Sequence, residues 1–151
     1  MVPMYSAKAS INQSDRNVLL DTARSSIQHG LDFGKALEVN ASYYPETLQA
    51  ERACFVTLQL AGELRGCIGH LQAVQPLIND VAENAWAAAF QDSRFAPLSR
   101  AEFPGLEIHI SILSPPQAMS FSSQEDLLAQ IRPGVDGLIL EHETNVWLEL
   151  T

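Results

Sequence analysis

"CFVTLQLAGELRGCIG", residues 54–69, decides the fold. Cys54, Val56, Leu58 and Leu60 alternate with Phe55, Thr57 and Gln59, the period of two expected of a strand with one apolar face. "AGE", residues 61–63, supplies a short glycine-containing turn, and the chain then returns through "LRGCIG". The stretch therefore predicts an antiparallel hairpin. A second alternation runs over 106–113, with Leu106, Ile108, Ile110 and Ile112 on one side and Glu107, His109 and Ser111 on the other; "SPPQ" ends it. Both alternations fit one sheet.

Helices are expected on either side of the hairpin. Ser14 is a plausible N-cap for a helix from residue 15 to about 29, with Leu19, Ala23 and Ile27 on one stripe and Gly30 ending it. Pro76 suits the first position of a second helix reaching Phe90, whose apolar face is Leu77, Val81, Ala85 and Ala88. Ser99 with Glu102, and Ser122 with Glu125, match capping boxes. "RPGVDG", residues 132–137, reads as a turn, followed by strands over 138–141 and 146–150. The expected class is α+β: a mainly antiparallel sheet flanked by helices, forming one domain over 14–151 behind a tail over 1–13.

Composition narrows the function. With 151 residues, 46% of them hydrophobic, the chain can bury a sizeable core. A net charge of -9, with nine basic residues that form no cluster, argues against a phosphate-binding surface, so no nucleic-acid partner is expected. No run approaches a membrane span and no leader pattern opens the chain, which predicts a cytoplasmic protein with reduced thiols. Cys54 and Cys67 are too far apart for a zinc pair, and no glycine-rich phosphate loop, serine elbow or paired-histidine metal motif is present. No metal or cofactor is expected.

Two stretches carry candidate chemistry. If Leu64 and Ile68 face the core, alternation sends Arg65, Cys67 and Gly69 to the other face, where Thr57 and His109 would also lie. A thiol beside a guanidinium and within reach of an imidazole favours the thiolate, and Gly66 and Gly69 would let a ligand approach. Equally, helices covering that face would make Cys67 an inert packing residue. Cys54, on the apolar side, reads as core. His70 either caps a turn or lines the cleft. In "QDSRF", residues 91–95, Asp92 could hold the Arg94 guanidinium for an anionic ligand, or simply pin the loop.

"LRGCIGH", "VAENAWAAAFQDSRFAPLS", "LEIHISILSPP" and "PGVDGLILE" occur in this order over about residues 15–141, and so the chain resembles the AMMECR family, also called AmmeMemoRadiSam system protein A. The resemblance implies two unequal α+β parts around an antiparallel sheet. It also implies MEMO-type and radical-SAM partner proteins in a modification system of unsettled chemistry. Lacking the clustered cysteines of a radical-SAM protein, this chain would be an accessory component. It is expected to bind a small molecule or protein ligand through Gly66, Gly69, His70, Asp92 and Arg94. The alternative is a thiol-dependent enzyme, with Cys67 as nucleophile or redox centre oriented by Arg65 and His109. The family pattern continues past "GLILE" into a threonine–phenylalanine–leucine–proline stretch and a helical region, where this chain reads "HETNVWLELT". A shortened C-terminal part is expected, and its apolar ending predicts a homo-oligomer.

Overall fold

The computed structural model describes residues 10–142 and 145–150, with side chains as far as Glu141. Residues 1–9 of the expected tail, two residues of the expected last turn, and the side chains of the apolar ending lie outside that range. In chain order the elements are α1 (Gln13–Phe33), α2 (Glu46–Gln49), β1 (Cys54–Leu60), β2 (Glu63–Gly69), α3 (Leu77–Phe90), β3 (Leu106–Ile112), α4 (Gln124–Gln130), β4 (Gly137–His142) and β5 (Asn145–Leu150). They divide into two compact units, residues 1–115 and 116–151.

The first unit is a three-stranded antiparallel sheet of order β2-β1-β3, packed on one face by α1 and α3. The hairpin and the 106–113 alternation share this sheet, as the pattern predicts. Cys54, Val56 and Leu58 are fully buried on the helix side. Each such side chain contributes roughly 1.5–3 kcal/mol on burial. α3 buries Leu77, Val81, Ala85 and Ala88, together with Ile78, Ala82 and Ala89, because it has the sheet on one side and α1 on the other. Its alanines let both neighbours come close.

Two helix ends differ from expectation. α1 begins two residues earlier, at N-cap Asn12: the Asn12 side chain accepts from the Asp15 N–H at 2.8 Å, and Asp15 accepts from the Asn12 N–H at 3.3 Å. The helix runs through Gly30 to Gly34, which takes the left-handed conformation at φ 77°. Gly30 instead sits where a Cβ would meet the Trp86 and Phe90 rings of α3, so it is a packing glycine rather than a cap. The hairpin turn is tighter than "AGE": Ala61 (φ 51°) and Gly62 (φ 80°) form a two-residue turn of the I′ kind.

β2 carries a register shift opposite Leu58 and Gln59, with Arg65 as the extra residue. The shift sends Leu64, 43% exposed, away from the core, whereas Ile68 packs against it. Leu64 was expected beside Ile68; a bulge breaks strict alternation.

In the second unit, Ser123 caps α4 by accepting from the Asp126 N–H at 3.1 Å, one residue beyond the expected Ser122. Gly134 (φ 75°) and Asp136, which accepts from the Arg132 N–H at 2.9 Å, build the turn before the β4–β5 hairpin.

Candidate functional site

Backbone parity places Cys67 at an edge. Cys54 accepts from the His70 N–H at 3.1 Å, so the even-numbered residues of β1 bond to β2, and Thr57↔Cys67 is a non-hydrogen-bonded pair. Such pairs bring side chains closest. Thr57 Oγ1 and Cys67 Sγ are accordingly 3.2 Å apart. The same parity turns the Cys67 N–H outward from the sheet, where Asp92 Oδ2 accepts it at 3.0 Å.

Asp92 lies just past the C-terminus of α3 with its side chain 5% exposed. It receives the Arg94 Nη2 (2.7 Å), Nε (3.0 Å) and backbone N–H (3.1 Å). The Arg94 hydrogen bonds, with help from the Cys67 N–H, hold this carboxyl well below the usual carboxylate range against the opposing effect of burial. In turn Asp92 raises the Arg94 pKa, with a smaller contribution from the nearby Cys67. The Cys67 backbone N–H and the Arg94 guanidinium are therefore held by one carboxylate, and the Arg94 side chain remains 55% exposed.

Arg65 has a different job from the one its position in the motif suggests. Its Nε and Nη2 bind Glu102 at 2.7 and 3.2 Å, and Nη2 also reaches the Ala96 carbonyl at 2.8 Å. The Arg65 pair, followed by the Ser99 N–H, pulls the Glu102 carboxyl down to about 2. Both Arg65 and Arg94 lie over the Phe95 ring, at 5.8 and 5.4 Å. Arg65 thus latches the loop after α3 rather than serving Cys67.

The remaining candidates disperse. His109, on the far strand, pairs with Thr57 of β1, two strand spacings from Cys67 (roughly 10 Å), and its ionic neighbour among the described residues is Glu107 at 3.9 Å. His109 does not reach the thiol. Gly66 and Gly69 are explained by packing: a Cβ on Gly66 would strike the Ala88 carbonyl oxygen of α3, and one on Gly69 would strike the Phe55 ring and the Cys54 carbonyl. The idea that they open space for a ligand is corrected accordingly.

His70 belongs to a buried network that the sequence did not reveal. Its Nδ1 is 2.7 Å from Asp80 Oδ1, and Asp80 is 1% exposed. Asp80 also accepts from the Cys54 N–H (3.1 Å), Cys54 Sγ (3.2 Å), Asn84 (3.0 Å) and Gln75 (3.0 Å). Burial first, and Asp80 second, push the Cys54 thiol up, which fits its core assignment. Asp80 and Asn84 at i and i+4 inside an apolar helix were the available signal.

Among the described residues, no cluster of three or more His, Cys, Asp or Glu could hold a metal, and no helix is long and apolar enough to cross a membrane.

The chain as a whole is similar to known proteins. The AMMECR1 family model matches residues 20–148. The chain belongs to the AMMECR1 family. A protein of Methanothermobacter thermautotrophicus is 37% identical over 88% of this chain and 69% of its own length. Protein MJ0810 of Methanocaldococcus jannaschii is 38% identical over 80% of this chain, which spans 59% of that relative. The crystal structure of uncharacterized protein PH0010 from Pyrococcus horikoshii has a TM-score of 0.79 at 32% identity, covering 86% of this chain and 66% of that one. The AMMECR1 fold accounts for the α+β sheet, as the resemblance implied.

Proposed function

We propose that this AMMECR1 domain is a ligand- or partner-binding component of a modification system containing MEMO-type and radical-SAM proteins, and that the surface around Cys67 and Arg94 is its working face. The observation that supports this reading is the Asp92 carboxylate, which fixes the Cys67 backbone and the Arg94 guanidinium together at a sheet edge. A guanidinium oriented by a carboxylate and still half open to solvent suits an anionic group on a small molecule or protein. The reading includes a cytoplasmic setting, self-association, and no nucleic-acid or membrane partner.

A second reading, a thiol-dependent enzyme with Cys67 as nucleophile or redox centre, draws on the Thr57–Cys67 contact and on Arg94, held by the carboxylate that also binds the Cys67 N–H. Iodoacetamide labelling of Cys67 across pH separates the two. A labelling transition well below the free-thiol value of about 8.5 supports the enzyme; a transition near it supports the binding module. Buried Cys54 serves as an internal control. Co-purification from a native extract then tests the binding reading: recovery of MEMO-type or radical-SAM proteins, lost in Arg94→Ala, is the expected result. Their absence with both wild type and variant overturns it.

A further inference from the structure

The outer edge of β3, on the opposite side of the sheet from Cys67, carries a row of unmade hydrogen bonds. The Leu113 N–H donates to the Ala53 carbonyl at 2.9 Å, so odd-numbered residues of this strand bond to β1 and even-numbered ones point outward. The Leu106 carbonyl, of that outward parity, accepts Arg24 Nη2 at 3.0 Å. The outward N–H and C=O groups of Ile108, Ile110 and Ile112 have no hydrogen-bond partner among the described residues. β3 pairs with β1 in an unbroken register and contains no proline, lysine or bulge; its charged residue, Glu107, lies beside His109 at 3.9 Å.

Beside this edge lies a groove of about 700 Å³ between β3 and the N-terminal part of α1. Among the described residues its walls are apolar (Ile11, Leu19 and Leu20 with the three isoleucines), its charged or titratable side chains are Arg16, Arg52 and His109, and none is a carboxylate. In a chain of net charge -9, the described lining of this groove carries arginines and no carboxylate.

We propose that the β3 edge is a docking site for an extended acidic segment of a partner protein, which adds to the sheet as a fourth strand. Backbone pairing at Ile108, Ile110 and Ile112 supplies affinity, alternate apolar side chains enter the groove, and acidic residues meet the exposed Arg16. A second copy of the chain would bring the same arginines to face these. The chain's own first nine residues, "MVPMYSAKA", carry no carboxylate. Charge thus selects a foreign acidic strand. The inference does not depend on the Cys67 surface.

The test uses a fluorescent peptide of alternating glutamate and valine, seven residues long to match β3, titrated by anisotropy into the full chain. Saturable binding is expected, weakened about tenfold or more when lysine replaces glutamate and by a similar factor in Arg16→Glu, an exposed position. On saturation, amide hydrogen exchange at Ile108, Ile110 and Ile112 should slow about tenfold or more. No saturable binding, indifference to lysine, or binding that leaves those amides unprotected overturns the proposal. So does protection of the free protein that grows with its concentration, which would mean a second copy, or that disappears when residues 1–9 are removed, which would mean the chain's own segment.

Discussion

Asp92 Oδ2 accepts the Cys67 backbone N–H at 3.0 Å while the same carboxylate holds Arg94, so a loop residue completes the edge of strand β2. An edge strand normally leaves such an N–H to water or to another chain. Here a buried side chain takes it, and Arg94 offsets the buried charge. Asp92→Ala should cost roughly 1–3 kcal/mol in a urea titration, the usual penalty for orphaned buried donors. Asp92→Asn keeps an acceptor for the Cys67 N–H and should cost less. Equal losses for the two variants would mean that the Cys67 hydrogen bond contributes little.

Acid should loosen the same region. Glu102 falls from its ordinary 4.5 to about 2 in the folded state, chiefly through Arg65, and Asp92 is lowered in the same direction through Arg94. Below about pH 4.5 the unfolded chain takes up protons at these groups that the folded chain refuses, so stability falls as pH drops. The contribution is fully present above the ordinary carboxylate range and is lost towards pH 2. Urea midpoints measured from pH 6 to 2.5 should therefore decline, and Glu102→Gln should flatten the decline. An unchanged slope in that variant would show that other carboxylates carry the acid sensitivity.

How much of this was legible depended on whether the information was local. The alternations at 54–60 and 106–113 are local, and they put Val56, Leu58, Ile108 and Ile110 on the correct face. The bulge at Arg65 was hidden because its cause lies in long-range partners: Glu102, 37 residues away, and the loop carbonyl of Ala96. Cys67 was singled out in one stretch and the Asp92–Arg94 pair in another, and the fold brought them together. Asp80 showed itself only through its i, i+4 spacing to Asn84 in an apolar helix, which does not announce that Cys54, His70 and Gln75 will also point donors at it. Gly66 was misread because small residues beside a cysteine look alike whether a ligand or a helix backbone approaches them.

Gly66→Val now has a defined expectation. A side chain there meets the Ala88 carbonyl oxygen, a backbone atom that cannot step aside without moving α3. The cost should be roughly 1–3 kcal/mol or more, despite valine's suitability for strands. Gly66→Ala should already be harmful, since the obstruction arises at Cβ. Wild-type melting of the alanine variant would contradict the close approach of α3 to β2.

Ala61 offers a change in the other direction. It occupies the first position of the two-residue turn at φ 51°, where an alanine Cβ is strained by roughly 1 kcal/mol. Asparagine tolerates that conformation and forms the favoured pair with the glycine that follows. Ala61→Asn should raise stability by roughly 0.5–1 kcal/mol, read as a higher urea midpoint with an unchanged slope. A lower midpoint would argue against the turn geometry.

Asp80 is where the first unit has most to lose. Its carboxylate is nearly inaccessible and receives Cys54, His70, Gln75 and Asn84, joining the start of β1, the end of β2 and helix α3 at one point. Asp80→Ala leaves the Cys54 N–H and the Asn84 amide buried without this acceptor, and removal of one member of a buried charged network typically costs about 3–5 kcal/mol. Asp80→Asn preserves shape and part of the acceptor capacity, so it should lose less. Cys54 reports the outcome directly. Burial is the main reason its thiol is pushed up, with Asp80 second, so the asparagine variant should still shield Cys54 from iodoacetamide while folded. The alanine variant should expose it through frequent opening. Rapid Cys54 labelling in the asparagine variant at full stability would show that charge, not burial, had been silencing the thiol.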